Sequence, residues 1–241
     1  MKISVVLPTY NERENIIPLI ESLSSILQDS GYEYQIVVVD DNSPDGTAEA
    51  VKKRFDQVDQ VKLVWRNGQR GLGTAVKAGI EASSGEILVV MDADCSHDPH
   101  DVPMLVSGIG KYDLVNGSRY MGCGGFQSNT RARISSVAIN WFLRLVLGLK
   151  TTDNTIGFLA VKRSLLSELN LEGIFRGYGD FHFRLMYDAS RHGAEVIEVP
   201  VVHRLRQRGQ AKTRLFKDGW GYIISALKIR LGIGRAPSRR T

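Results

Sequence analysis

The sequence predicts an α/β fold built on a mostly parallel sheet with helices on both faces. Short β-branched apolar runs recur along the first half, and they lack the alternation of strands that are wet on one face. Helix-period patterns lie between them, which is the alternation that parallel sheets require. The first run is Ile3 to Leu7, and residues 13–28 then set Ile16, Leu19, Ile20, Leu23 and Leu27 on one helical face. The second run, Ile36 to Val39, precedes a helix over Thr47 to Phe55. A third helix is expected over residues 72–82, and the third run is Ile87 to Met91. A further candidate strand ends at Val115-Asn116-Gly117-Ser118-Arg119-Tyr120.

Composition bounds the molecule. At 241 residues the chain is one large domain or at most two small ones, and no internal repeat or low-complexity linker divides it. With 43% hydrophobic and 24% charged residues it is no disordered, collagenous or polytopic membrane protein. Cys95 and Cys123 are too few for a disulfide framework and lack metal-site spacing, so a reducing compartment is expected. The N-terminus runs straight into a strand pattern without a cleavable apolar core, so no signal segment is expected there. Charge is unevenly spread. Of 31 Lys/Arg and 26 Asp/Glu, eleven bases and only Asp218 fall in residues 201–241. A mildly acidic body with a basic end calls for an anionic neighbour: lipid head groups, nucleic acid or substrate phosphate.

Each of the three runs ends in polar residues: Pro8-Thr9-Tyr10-Asn11-Glu12, Asp40-Asp41-Asn42-Ser43-Pro44-Asp45-Gly46 and Asp92-Ala93-Asp94. Ligands of parallel sheets bind beyond the carboxyl ends of the strands, so topology alone gathers Tyr10, Glu12, Asp40, Asp41, Asp92 and Asp94 at one crevice. Ser43 to Gly46 reads more simply as a turn and helix start. Asp92 and Asp94 flank an alanine on one face of a strand end, where two carboxylates repel and a cation is the usual remedy. Hard anionic oxygens in incomplete number suit Mg²⁺ or Mn²⁺, with water and a diphosphate completing the shell. His97 and His100 are assigned to a surface turn rather than a metal site. Gly71-Leu72-Gly73-Thr74 is a weak phosphate-loop signal, or simply a turn into the following helix. Arg119, Arg206 and Lys212 add the cations of a site for more than one phosphate, although residues 204–214 also read as a solvated basic loop.

The motifs Val5–Glu12, Val39–Thr47, Gly71–Ala75, Met91–Asp94 and Gly117–Tyr120, in that order, resemble the family 2 glycosyltransferases of GT-A fold. Within them the chain is most similar to the dolichyl-phosphate (polyprenyl-phosphate) mannose synthases. The similarity is dense over residues 1–125 and traceable to about residue 213. It implies a Rossmann-like GT-A catalytic domain over 1–213 and a basic amphipathic C-terminal segment over 214–241. By position, Pro8, Tyr10, Glu12, Val39, Asp40 and Asp41 would line the nucleotide pocket. Asp92 and Ala93 would meet the nucleotide-sugar, and Asp94 would be the principal metal ligand with Asp92 and Ser96 beside it. Arg119 would meet phosphate, while Arg206 and Lys212 would close over the diphosphate. Three stretches depart from the family pattern: Cys95-Ser96 follows Asp94 where Leu then Ser or Gln is usual, and two segments differ in the second half. Leu159 stands for an arginine in Asp153–Leu159, and Phe181-His182-Phe183-Arg184 replaces Phe-Gln-x-Glu.

The resemblance implies inverting transfer of a hexose, mannose from GDP-mannose, to dolichyl or polyprenyl phosphate, with Mg²⁺ or Mn²⁺ as cofactor. Rival readings are a UDP-glucose-dependent enzyme of the same family and a nucleotide-sugar-binding protein without catalysis. Residues 134–149 and 215–231 each read as a membrane-surface helix or a core-packing helix, the second through Phe216, Trp220, Ile223 and Leu227. A peripheral protein on the cytosolic face of a membrane, helped by a membrane partner subunit, is one expectation. Nucleic acid fits the Trp220/Ile223 stripe poorly.

Overall fold

In the computed structural model the described residues are 1–127, 130–177, 179–206 and 215–233, without the side chains of 215–218. The first half runs β1 (Lys2–Thr9), α1 (Arg13–Asp29), β2 (Glu33–Asp40), α2 (Thr47–Phe55), β3 (Val61–Trp65), α3 (Leu72–Ala82) and β4 (Ile87–Val90). A 3-10 turn at Pro99–Asp101 leads into α4 (Val102–Gly108), β5 (Leu114–Ser118), β6 (Gly125–Phe126) and α5 (Thr130–Leu147). Then follow β7 (Leu159–Lys162), α6 (Arg163–Glu168), α7 (Leu171–Ile174), α8 (Phe181–Arg191), β8 (Val196–Pro200), β9 (Val202–His203) and α9 (Leu215–Arg230).

Seven strands form one sheet in the order β3-β2-β1-β4-β7-β5-β8, and β6 pairs with β9 separately. The sheet is parallel except for β7, which runs antiparallel to β4 and to β5. The strands alternate after all, but between two apolar layers. Ile3, Val5 and Leu7 face α1, α2 and α4, whereas Val6 joins Val37, Val39, Leu88 and Val90 under α3, α5, α8 and α9. That is why the runs look continuous in the sequence. Gly79 lets α3 lie close on the sheet, since a Cβ there would stand 2.3 Å from Val6 Cγ1.

The carboxyl ends of β2, β1 and β4 lie side by side. Thr9 is in register with Asp40 and Val6 with Val90, so the three polar clusters share one rim. Ser43 does not start a helix: α2 begins at Thr47, where the Asp45 carboxylate accepts from the Thr47 N–H at 3.0 Å and from its hydroxyl at 2.6 Å. The glycine turn before α3 reads correctly, with Gly71 at φ +147°.

Segments 134–149 and 215–231 are helical over most of their length, and each packs one side into the core and leaves apolar side chains exposed on the other. On α5, Asn140, Leu143 and Leu147 are buried while Ile134, Val137, Trp141 and Leu145 are exposed. On α9, Ala226 and Ile229 are buried while Trp220, Ile224 and Leu227 face outward. The outer stripe of α9 therefore runs through Ile224, and Ile223 is half-buried. The side chain of Phe216 lies outside the described residues. Among the described residues no helix is long and apolar enough to cross a membrane.

Candidate active site

Asp40 is buried and closes the rim from within. Its carboxylate accepts from Thr9 Oγ1 at 3.0 Å, from Ser43 Oγ at 2.5 Å and from the Ser43 N–H at 2.9 Å. Asp41 points along the same edge to Arg66, whose Nε donates at 2.7 Å, and accepts the Gly71 N–H at 2.9 Å. It thereby ties the entry of α3 to β2 and β3. Val39 and Pro8 are buried, Val39 against the position of Gly79. Tyr10 is half-buried, and Arg70 lies over its ring at 4.8 Å.

The loop after β4 folds back on itself. Cys95 takes a left-handed conformation, φ +62°, and this reversal brings Ser96 and His97 under the two aspartates. The Ser96 N–H donates to Asp94 Oδ1 at 3.0 Å. The Ser96 hydroxyl is buried beside the same carboxylate and supports its charged form. Burial pushes Asp94 up, but Ser96, with Arg206 adding its charge, holds its carboxyl below the usual range. Ala93 is buried and Asp92 half-buried at the rim.

Arg206 spans the crevice. Its guanidinium pairs with Glu12, which also accepts from Asn15 Nδ2 at 2.8 Å, and reaches Asp94 Oδ2 at 3.3 Å. The segment carrying it is fastened to the aspartate turn, because the Arg204 N–H donates to the Ser96 carbonyl at 2.8 Å and Arg204 pairs with Asp98. Sequence reasoning placed Glu12, Asp94 and Arg206 at one site, and the structure brings them together. Lys212 lies outside the described residues.

Arg119 lies deeper. It grips Asp153 with two hydrogen bonds of 2.7 and 2.8 Å, donates to Thr155 Oγ1 at 2.9 Å and packs over Phe126 at 4.8 Å. Burial alone would raise the Asp153 carboxyl, but the Arg119 charge and hydrogen bonds hold it below its ordinary range. Glu198 on β8 fixes the same turn by accepting from the Thr152 N–H at 2.6 Å and the Asp153 N–H at 2.9 Å. Arg66, Asp153 and Glu198 were not singled out from sequence as site residues. Arg66 follows a strand, Glu198 lies within one and Asp153 opens a family-like segment, but each finds its partner 25 to 46 residues away.

His100 is exposed as expected, whereas His97 is not a surface residue. Its ring is buried, stacked on Phe158 at 4.7 Å and edge-on to His203 at 5.5 Å. The surface reading failed because the chain reverses at Cys95 and the ring turns inward against Phe158 and His203. Burial pushes the His97 imidazole down to about 3, His203 adding to that and Asp94 opposing it.

Among the described residues no three acidic, imidazole or thiolate side chains gather as a complete metal site. What the rim offers is Asp94, Asp92 and a buried Ser96 hydroxyl beside Asp94. All are oxygen donors, and they fit a hard ion that takes its remaining ligands from phosphate and water.

The sequence model of glycosyl transferase family 2 matches residues 4–169. The dolichol-phosphate mannosyltransferase of Pyrococcus furiosus is 35% identical over 222 residues, covering 89% of this chain and 60% of that longer protein. The undecaprenyl-phosphate mannosyltransferase of Micrococcus luteus is 35% identical over 218 residues, covering 88% of this chain and 87% of the relative. Among solved structures, glucosyl-3-phosphoglycerate synthase from Mycobacterium tuberculosis, in complex with Mn²⁺, UDP and glucosyl-3-phosphoglycerate, superposes with a TM-score of 0.72. It is 25% identical, over 98% of this chain and 81% of that one.

Proposed function

The chain belongs to glycosyl transferase family 2 and is a glycosyltransferase, and from that premise we propose that it moves mannose from GDP-mannose to a polyprenyl phosphate with inversion at the anomeric carbon. The observation that carries the reading is the Glu12–Arg206–Asp94 bridge. It holds a cation carrier from the C-terminal half directly over the acidic strand ends. A nucleotide diphosphate would bring two negative phosphates to this rim, where Arg206 is held beside Glu12 and Asp94 to receive them. The mannosyltransferase relatives supply the sugar and the lipid acceptor by name.

A phosphate oxygen of the acceptor is ionised at neutral pH, so the attacking group needs no strong base. Rate then comes from alignment and from neutralising the departing diphosphate. Asp94, with Asp92 and Ser96, would hold a divalent ion, and such an ion supplies Lewis-acid stabilisation to that leaving group. Arg206 and Lys212 would add positive charge from their loop, and Arg119 would face phosphate while Asp153 keeps its guanidinium oriented. Glu12, Tyr10 and the edge tied by Asp40 and Asp41 would border the nucleotide. The exposed apolar stripes of α5 and α9, flanked by Arg131, Arg133, Arg144, Lys228 and Arg230, suit a protein that meets its lipid at a membrane surface.

Incubation with Mn²⁺ or Mg²⁺, labelled GDP-mannose and either dolichyl or undecaprenyl phosphate is expected to carry label into the organic phase. Label transferred only from UDP-glucose would move the donor reading to the one suggested by the UDP-bound structural neighbour. No transfer from either donor would refute the lipid-phosphate acceptor. Asp94→Ala is expected to lower transfer on the order of a hundredfold at saturating metal, read as initial rate.

A further inference from the structure

We propose that His97 is a positioning residue for the metal-bearing turn, fixing Asp92 and Asp94 relative to one another through its Nδ1 atom; this rests on the reading of that turn given above. Beyond β4 the sheet ladder stops: the Met91 N–H donates to Val6, and the next amide, that of Asp92, has left the strand. That amide donates instead to His97 Nδ1 at 3.2 Å. The bond joins the first residue of the turn to the sixth, so Asp92, Ala93 and Asp94 lie inside a ring closed by one side chain. Cys95 in its left-handed conformation makes the closure possible, and the Ser96 N–H bond to Asp94 orients the second carboxylate from the same reversal.

The ring itself is held by contacts that do not involve the turn. Phe158 stacks on it with an interplanar angle of 10°, and His203 abuts its edge. Phe158 belongs to the segment before β7, and His203 ends the small ribbon strand from which the Arg204–Arg206 stretch departs. His97 thus sits where the aspartate turn, the antiparallel strand and the Arg206 segment meet. A ring that merely filled this space could be any flat apolar group. The Asp92 amide makes the difference, since only a side chain with an acceptor at that position keeps the turn closed. Partners behind metal ligands commonly matter about 10- to 100-fold in affinity.

Three variants separate the acceptor from the packing. His97→Phe keeps the flat ring and removes the acceptor. His97→Asn loses the ring but keeps an oxygen near the Nδ1 position, and His97→Gln loses the ring and carries its oxygen too far. Binding of Mn²⁺ with GDP is measured by calorimetry, alongside melting temperature and, with donor and acceptor, the KM-against-kcat split. His97→Phe is expected to melt within a few degrees of the wild type yet bind Mn²⁺ and GDP about tenfold more weakly. His97→Asn is expected to bind within threefold of the wild type, and His97→Gln to bind about tenfold more weakly than His97→Asn at similar stability. Equal binding by Asn and Gln variants would overturn the proposal even if the Phe variant fails to fold, as would wild-type affinity in His97→Phe. Asp94→Asn is the control. If the wild type and Asp94→Asn bind Mn²⁺ and GDP alike, the metal-site reading fails and this inference falls with it. If they differ while the His97 variants do not, only this inference fails.

Discussion

Arg206 holds a cation's place in this structure: its guanidinium sits between Glu12 and Asp94, two groups that would otherwise repel across the crevice. On the proposed reading a divalent ion on Asp94 would meet that positive charge as a competitor, and a diphosphate would give Arg206 a new anion to pair with. Replacing it by glutamine is therefore expected to change binding and catalysis in opposite directions. In Arg206→Gln the affinity for Mn²⁺ alone should rise several-fold, read from the free-ion EPR signal, while transfer falls on the order of a hundredfold. Weaker Mn²⁺ binding in that variant would mean the bridge assists the site rather than occupying it. His182 makes a second residue-scale case. It is fully buried, and neither ring nitrogen has a partner among the described residues. Burial pushes it down to about 4, with Asp153 opposing and Arg119 adding to the shift. Its folded value lies below the ordinary 6.5, so the unfolded chain binds the extra proton between those values. The stability it contributes is complete above pH 6.5 and is lost as pH falls toward 4, at up to about 1.4 kcal/mol per pH unit. His97 and His203, held down to about 3 and about 4, share that sign. His182→Gln is expected to remove one histidine's share of the acid slope in urea melts between pH 6.5 and 4.5, leaving the others. An unchanged slope would show that this ring is not titrating on unfolding.

Elements differ in how much of their reason is local. Thr47–Phe55 and residues 72–82 are helices with the bounds that periodicity predicts, because the buried stripe and the flanking turn glycines lie within the segment itself. The three apolar runs are strands for the same reason. Val61–Trp65 escapes such a reading, since an edge strand with exposed Lys62 and Trp65 has no strong pattern. Leu159–Lys162 also escapes it: four residues between β4 and β5 are a strand only because both neighbours pair with them. The site divides in the same way. Asp92, Asp94 and Glu12 announce themselves as acids at strand ends, but Asp153, Glu198 and the inward turn of His97 are made by partners far along the chain. Arg184 shows what such a partner does at the scale of an element. The resemblance implies an acid at this position; here the arginine pairs with Asp180 at 2.7 Å while also reaching Ser225 on α9. Ser225 in turn donates to Asp180 at 2.9 Å. All three are largely buried, so the start of α8 and the middle of α9 are fastened by a closed polar triangle. Arg184→Leu leaves the Asp180 charge without its cation and is expected to cost about 2–3 kcal/mol, seen as a lower unfolding midpoint. Loss of hydrogen-exchange protection should concentrate in α9 rather than in the sheet. Uniform loss across the molecule would mean that α9 is docked by its apolar contacts alone.

At the scale of the whole molecule, the proposed reaction would require the acid-lined rim and the exposed apolar stripes to act together, because a polyprenyl phosphate carries its phosphate at the edge of a bilayer. α5 and α9 pack together, and each turns one side away from the core. Trp141 is 64% exposed and Trp220 65%, with Ile134, Val137 and Leu145 continuing one stripe and Ile224 and Leu227 the other. Exposed tryptophans in line with leucines and isoleucines leave apolar area in water, which a folded protein tolerates only in small patches. Exposed arginines and lysines at the borders of both stripes, together with the basic C-terminal composition, would on this reading meet anionic head groups while the rings enter the interface. Two contributions then add: burial of side chains worth about 1.5–3 kcal/mol each when fully transferred, and an electrostatic attraction that salt screens. The chain is expected to float with vesicles of mixed neutral and anionic phospholipid at low salt and to release partly as ionic strength rises. The double variant Trp141→Glu with Trp220→Glu removes both anchors and adds two negative charges on the outer side of the helices, so the core contacts of α5 and α9 are untouched. Vesicle binding should drop at least a hundredfold while the melting temperature stays within a few degrees. Transfer to a short, water-soluble polyprenyl phosphate should persist, whereas transfer to a long-chain acceptor embedded in vesicles should fall in step with binding. Equal loss on both acceptors would place the two tryptophans in the chemistry of the rim instead of at the lipid surface, and unchanged flotation would leave the stripes to some other partner.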